Sequence, residues 1–191
     1  MARPRMFDEE QALEGAMRLF WSSGYDATST EELCEATGLR RSSIYNTFRS
    51  KHELFLQALS RYLVWKTGAY LELLTGESPA AERVHEMLRY AADQAAKSGR
   101  DGCFAVNTIT ERSSRDPEVD ALLRADTSRR IAAIRDVLAA GQRVGEVDRA
   151  KDPDALANFI DATLAGIHVA ARGGKSRRTL RAIADTAVLA L

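Results

Sequence analysis

Between residues 24 and 54 the chain reads GYDATSTEELCEATGLRRSSIYNTFRSKHEL, and no other stretch limits its fold so tightly. It holds two Ser-x-x-Glu boxes, Ser29 with Glu32 and Ser50 with Glu53. Such a pair satisfies the free N–H groups at a helix start. The first box predicts a helix from near Thr30, with Leu33 and Ala36 on its buried face. Gly38 is placed to end that helix, because it reaches positive φ without a Cβ clash. Leu39 then fills the angle between helices. Ile44 and Phe48, four apart, form the inward stripe of a second helix from about Arg41 to Thr47. The second box opens a third helix. Helix, glycine turn, helix is the geometry that sets a second helix into the major groove of DNA.

The residues left outside that stripe suit the groove. Arg40, Arg41, Ser42, Ser43, Tyr45 and Asn46 lie on the open side or at the N-terminus of the second helix. Arginine and asparagine can pair bidentately with guanine and adenine edges, and hydroxyls can meet phosphates or bases. Ala36 to His52 contains four bases (Arg40, Arg41, Arg49, Lys51) and no acid, whereas Asp8 to Glu35 contains eight acids and one base, Arg18. Positive charge therefore gathers where phosphates would lie. A solvated helical corner with a few arginines is the plainer alternative.

The segment resembles the N-terminal DNA-binding domain of the TetR family of bacterial transcriptional regulators. The resemblance rests on Gly24-Tyr25, Thr28-Ser29, Leu33, Gly38-Leu39, Ser43-Ile44-Tyr45, Phe48, Ser50-Lys51 and Leu54. It covers about a quarter of the chain. Arg40 stands where the family usually has Ser or Thr, Asn46-Thr47 replaces a frequent His-His or His-Tyr pair, and Cys34 replaces Ala. The first two departures change groove-facing chemistry, so no operator sequence carries over. The resemblance implies an all-α fold of about nine helices, in which a three-helix DNA-binding domain is joined by a long helix to a larger helical ligand-binding and dimerisation domain. The expected division is 1–50 and 51–191. Its implied DNA contacts are Thr28, Ser29, Arg40, Arg41, Ser42, Ser43, Tyr45, Asn46 and Lys51, with Thr28, Tyr45 and Lys51 on phosphates.

Composition narrows the alternatives. The 27 basic and 27 acidic residues cancel, so any DNA affinity must come from a local patch. The N-terminus, MARPRMFDEE, lacks an apolar segment, and no apolar run is long enough to span a membrane; a cytoplasmic location is expected. Cys34 and Cys103 are too few and too isolated for a disulfide framework or thiolate metal site. His52, His85 and His168 form no metal-ligand spacing, and no phosphate loop or nucleophile turn occurs. No catalytic residue, metal or cofactor is expected. A small helical enzyme or a protein-only adaptor are the competing classes, and neither explains the basic, hydroxyl-rich second helix.

The remaining chain reads as punctuated helices. A first helix begins near Asp8 after Phe7 and buries Leu13, Ala16, Met17 and Phe20 until Gly24; Arg3 and Arg5 precede it as a basic arm. A long helix runs from Ser50 to about Thr75. Ser78-Pro79 caps and starts a helix ending near Gly99, and Cys103 to Ser113 is a short one. Asp116-Pro117 starts a helix to about Gly141 or Gly145, Asp152-Pro153 one to Gly173-Gly174, and Ser176 caps the last.

The last two helices, about 153–173 and 176–190, suggest a homodimer. The first is apolar nearly all round, with small residues Ala157, Ala162, Ala165 and Gly166; the second offers Leu180, Ile183, Ala187 and Leu191. Effector candidates centre on residues 100–119. Gly-Cys-Phe followed by Asn107 and Glu111 resembles a segment that borders the effector cavity in one TetR subgroup. Phe104, Asn107, Thr108 and Glu111, with Tyr62, Trp65, Phe159 and His168, are the candidate lining, and each has a purely structural alternative. The expected mechanism is a homodimer reading a palindromic operator in double-stranded DNA as a repressor, released when a small molecule shifts the helix from Ser50. Activation, or a redox or protein signal, stays open.

Overall fold

The computed structural model describes residues 5–191, with side chains from Glu9 onward. The arm at Arg3 and Arg5 and the position of Phe7 fall outside those described side chains. Among the described residues there are nine α-helices and no strand. They are α1 (Arg5–Ser23), α2 (Thr30–Thr37), α3 (Arg41–Phe48), α4 (Lys51–Leu74), α5 (Ala80–Ser98), α6 (Phe104–Glu111), α7 (Pro117–Val144), α8 (Pro153–Arg172) and α9 (Arg177–Val188).

Most boundaries follow local chemistry. Ser29 caps α2 and forms the full box with Glu32, and Gly38 ends that helix at φ 67°. Ser50 accepts from the Glu53 N–H at the start of α4. Asp116, Asp152 and Ser176 cap α7, α8 and α9. Two starts differ from expectation. α1 begins at Arg5 rather than near Asp8. Ser78 does not cap α5; Pro79 is its N-cap, and the Ala80 N–H is met by Glu146 Oε2 at 2.7 Å. A carboxylate brought by the fold replaces the hydroxyl nearby in sequence.

Two hydrophobic cores share α4. The first joins Ala16, Phe20, Leu33, Ile44 and Phe48 to Leu54, Phe55, Leu59 and Tyr62 of α4. The second takes Tyr70 and Leu74 of α4 with α5, α7, α8 and α9. The first core does not stop at the helix-turn-helix, because Cys103, Phe104, Val119 and Leu123 belong to it too. A chain of edge-to-face rings carries this continuity: Phe20 on Phe55 at 5.1 Å, Phe55 on Phe104 at 5.6 Å, Phe104 on Tyr62 at 5.6 Å. Each such pair adds about 0.5–1.5 kcal/mol beyond its area burial. α9 is pinned to α5 by Asp93, which accepts from Arg177 and Arg181. Those two bonds hold its carboxyl well below the usual carboxylate range.

Candidate nucleic-acid interface and ligand cavity

α2 and α3 are short, so their placement depends on what lies beneath them. Leu33, Ile44 and Phe48 are buried, and Gly15 of α1 lets the backbone of α2 approach so closely that any Cβ there would collide with the Ala36 carbonyl. α3 is thereby held with Arg40, Arg41, Ser42 and Asn46 exposed and Ser43 and Tyr45 half-buried. Arg40 is the N-cap of α3 but makes no side-chain cap bond, so its guanidinium is uncommitted there. The Arg41 guanidinium lies 5.9 Å from the Tyr45 ring centre, and the Tyr45 hydroxyl is 3.4 Å from Thr30 Oγ1. α3 ends at Arg49 with φ 66°, a conformation that costs a non-glycine residue about 1–3 kcal/mol and turns the chain sharply into α4.

Three residues expected to meet DNA also make bonds within the protein. Thr28 is 2% exposed, and its hydroxyl donates to the Gly24 carbonyl at 2.6 Å, closing the α1–α2 turn. Lys51 Nζ donates to the Thr28 carbonyl and sits 4.5 Å from the Tyr25 ring centre, tying α4 to the same turn. The Ser29 hydroxyl is shared with Glu32. Thr28 and Lys51 thus shape the frame of the interface; sequence periodicity could not reveal bonds made by a loop carbonyl.

A cavity of about 160 Å³ opens between α4, α6, α7 and α8. Of the eight ligand candidates it is lined by two, Tyr62 and His168. Asn107 and Glu111 line a neighbouring cavity of about 390 Å³, which His168 also borders, and the remaining four lie elsewhere. Phe104 is buried in the ring chain, and the buried Thr108 hydroxyl has no hydrogen-bond partner. Asn107 donates to the Asp101 carbonyl at 2.7 Å, bracing the turn before α6. Trp65, 50% exposed, lies with Val64 in an outer groove between α1 and α4. Phe159, 44% exposed, lies on the outer face of α8. An aromatic residue in an apolar run reads as wall or core, but helix phase, set by packing, turned both outward.

The cavity's polar groups include several that the sequence pattern hid. Arg130 of α7 donates to Asp126 at 2.7 Å and to Asp161 of α8 at 2.6 Å. Tyr62 donates to Cys103 Sγ at 3.2 Å, and the Tyr70 hydroxyl lies 3.2 Å from His168 Nε2. Burial pushes both tyrosines well above their usual pKa, with Cys103 adding in each case. Burial, reinforced by Lys66 and Arg130, lowers His168 to about 3, so its ring is neutral.

Glu111 also joins two parts of the fold. Its Oε1 accepts from the Asp26 N–H at 2.9 Å, joining the end of α6 to the α1–α2 turn. Arg112 extends that junction to Asp26 at 2.9 Å and Asp116 at 3.0 Å, and Asp116 also meets His52 Nε2 of α4 at 2.8 Å. Burial raises the Asp116 carboxyl, but its bonds to Arg112, Val119 N–H and His52 outweigh that and leave it below its usual range. His52, Asp116 and Glu118 offer ligand atoms within 4.8 Å of one another. Asp116 is already committed to Arg112 there. One wall of the cavity (Ala105, Val106, Ile109) and the junction at Glu111 and Arg112 are therefore parts of one short helix and its end.

Comparison with known proteins agrees with this arrangement. Residues 12–58 match the family described as bacterial regulatory proteins, tetR family, and residues 80–187 match the tetracyclin repressor-like C-terminal domain. The chain is 32% identical to the HTH-type transcriptional repressor ComR of Escherichia coli K12, over 96% of this chain and 89% of that protein. It is 28% identical to the repressor BdcR of the same organism, over 97% and 89%. Among solved structures, the TetR family regulator CifR, in a cysteine-substituted form complexed with 26-base-pair operator DNA, superposes with a TM-score of 0.85. It shares 32% identity over 98% of this chain and 99% of that chain. Among the described residues no helix is long and apolar enough to cross a membrane.

Proposed function

The chain belongs to the TetR family of bacterial transcriptional regulators, which are DNA-binding proteins rather than enzymes, and from that premise we propose a homodimeric repressor of a palindromic operator, released by a small molecule. The observation that carries this reading is the exposed face of α3: Arg40, Arg41, Ser42 and Asn46 project from a helix fixed by buried Ile44 and Phe48. ComR and BdcR are named as repressors, and CifR binds operator DNA, which supports the same role here.

In this reading residues 1–50 read DNA, while 51–191 sense the effector and dimerise. The outer face of α8 supports the dimer. Ala155, Phe159, Ala162, Gly166 and Val169 are exposed and recur at helical spacing, and Val169 is 57% exposed. Leu180 and Ala187 of α9 are spent on the chain's own core. Two copies meeting through this face would set two α3 helices on half-sites ~34 Å apart. In this reading Tyr45 of α3 and Lys51 at the start of α4 meet phosphates, and Thr28 and Ser29 shape the turn before α2.

Release follows from the shared helix. A ligand between α4 and α6 moves the wall at Val106 and Ile109, and α6 carries the movement through Glu111 and Arg112 to Asp26 and His52. That tilts α4 and alters the separation of the recognition helices. A coupling of ~1–3 kcal/mol is enough. Sedimentation of the protein with its best duplex tests the assembly. Two copies per palindrome are expected, and one copy per duplex at saturation contradicts the reading.

A further inference from the structure

Lys66 of α4 is 6% exposed and lines the cavity, yet among the described residues it has no carboxylate partner and no hydrogen-bond acceptor. Its near neighbours are the rings of Tyr70, 5.4 Å from Nζ, and Trp65, 5.8 Å away. The two aspartates of the cavity are committed to Arg130 by bonds of 2.7 and 2.6 Å. Burial lowers the Lys66 pKa, with Cys103 opposing in part. The cavity thus holds the amine of a buried lysine without a carboxylate counterion, an arrangement that is rare unless something pairs it.

A second polar atom lacks a partner in the same place. His168 is 2% exposed, and its Nδ1 meets no hydrogen-bond partner. The Tyr70 hydroxyl lies against Nε2 at 3.2 Å; in the tautomer in which it donates to Nε2, the ring carries its proton on the unpartnered Nδ1. Lys66 and His168 line the same cavity, and the positive charge of Lys66 adds to burial in keeping the His168 ring neutral. The rest of the lining near them includes Leu63, Val106, Ile109 and Leu164.

We propose that the cavity takes a small organic monoanion, a carboxylate or comparable acid on a compact apolar body, with Lys66 as its counterion and His168 beside it. The volume of about 160 Å³ sets the size. A cavity of ~150 Å³ accommodates benzene, so a single ring with one acidic substituent fits. This deepens the reading of the cavity as the effector site and rests on it for its regulatory meaning, but binding itself does not require DNA.

The test is calorimetric titration of the DNA-free full-length protein with benzoate, benzamide and benzamidine, one shape with three charges. Benzoate should bind at least about ten-fold tighter than benzamide, with no binding of benzamidine. Lys66→Met should weaken benzoate by about ten-fold or more and leave benzamide within about two-fold. Equal binding of all three, binding of none, or a preference for benzoate that survives Lys66→Met would overturn the proposal. The ligand series on the unaltered protein decides the matter even where the variant folds poorly. Operator release is read separately by fluorescence anisotropy. Benzoate binding without release supports the anion site and counts against the effector reading.

Discussion

The guanidinium of Arg112 sits 4.3 Å from the centre of the Tyr25 ring, joining the end of α6 to the turn that precedes the helix-turn-helix. The same side chain donates to Asp26 at 2.9 Å and Asp116 at 3.0 Å. Arg112→Met keeps the length and removes these bonds, leaving the buried Asp116 with His52. Urea unfolding should show a loss of ~1–3 kcal/mol. Operator release by effector should also weaken. An unchanged midpoint with unchanged release would remove Arg112 from the coupling.

Arg41 and Lys51 should separate by experiment, because the first is exposed and makes no side-chain hydrogen bond among the described residues, while the second is tethered to the Thr28 carbonyl. Arg41→Ala should cost ~1–3 kcal/mol of operator binding and relax sequence preference, with the melting temperature unchanged. Lys51→Met should lower thermal stability, since the Thr28 carbonyl loses its donor and the Tyr25 ring is left with Arg112 as its cation. If Lys51→Met left stability intact and only flattened the salt dependence of DNA binding, Lys51 would be a phosphate contact alone.

Gly15 controls the α1–α2 approach. A methyl group there meets the Ala36 carbonyl, and a backbone atom cannot swing aside. Gly15→Ala should destabilise the chain by ~1–3 kcal/mol or more. The variant should lose operator affinity while retaining ligand binding in the distant cavity. Wild-type affinity and stability together would show that α2 can shift at no cost.

Acid should weaken the fold through His168. Its folded pKa of about 3 lies below the ordinary value near 6.5, so the unfolded chain takes up a proton that the folded chain refuses. The contribution of neutral His168 is fully present above ~pH 6.5 and is lost at up to ~1.4 kcal/mol per pH unit as pH falls toward 3. His168→Leu should therefore lose less stability than the unaltered protein between about pH 7 and about pH 5. Equal losses would mean that the ring is protonated in the folded state.

The outer face of α8 should control assembly. Phe159→Glu places a charge where Phe159 is exposed in a single chain, so the monomer should fold normally. Sedimentation should show at least about a hundred-fold weaker dimerisation, and operator affinity should fall with it. A dimer of unchanged strength would place the interface elsewhere.

The architecture was legible because its signals are local. The Ser29–Glu32 and Ser50–Glu53 boxes, Gly38, and the caps at Asp116, Asp152 and Ser176 act within a few residues of the helices they bound. The exposed face of α3 followed from Ile44 and Phe48 by the same logic. The cavity did not, because four helices build it. Lys66 in a long helix reads as a solvated lysine until α6, α7 and α8 close around it. The bond from Glu111 to the α1–α2 turn, 85 residues away, has no trace in the local sequence. Trp65 and Phe159 show the converse, since hydrophobicity marks burial in a helix only when its phase is known.

Selection of bound sequences from a random duplex DNA pool, with the salt dependence of the best binder, tests the central claim most directly. The account predicts a palindrome with half-sites about one helical turn apart or a multiple of it, whose affinity falls steeply with salt and whose preference relaxes in Arg41→Ala. Enrichment of no sequence above non-specific binding, or a preference untouched by Arg41→Ala, would contradict α3 as the element that reads DNA.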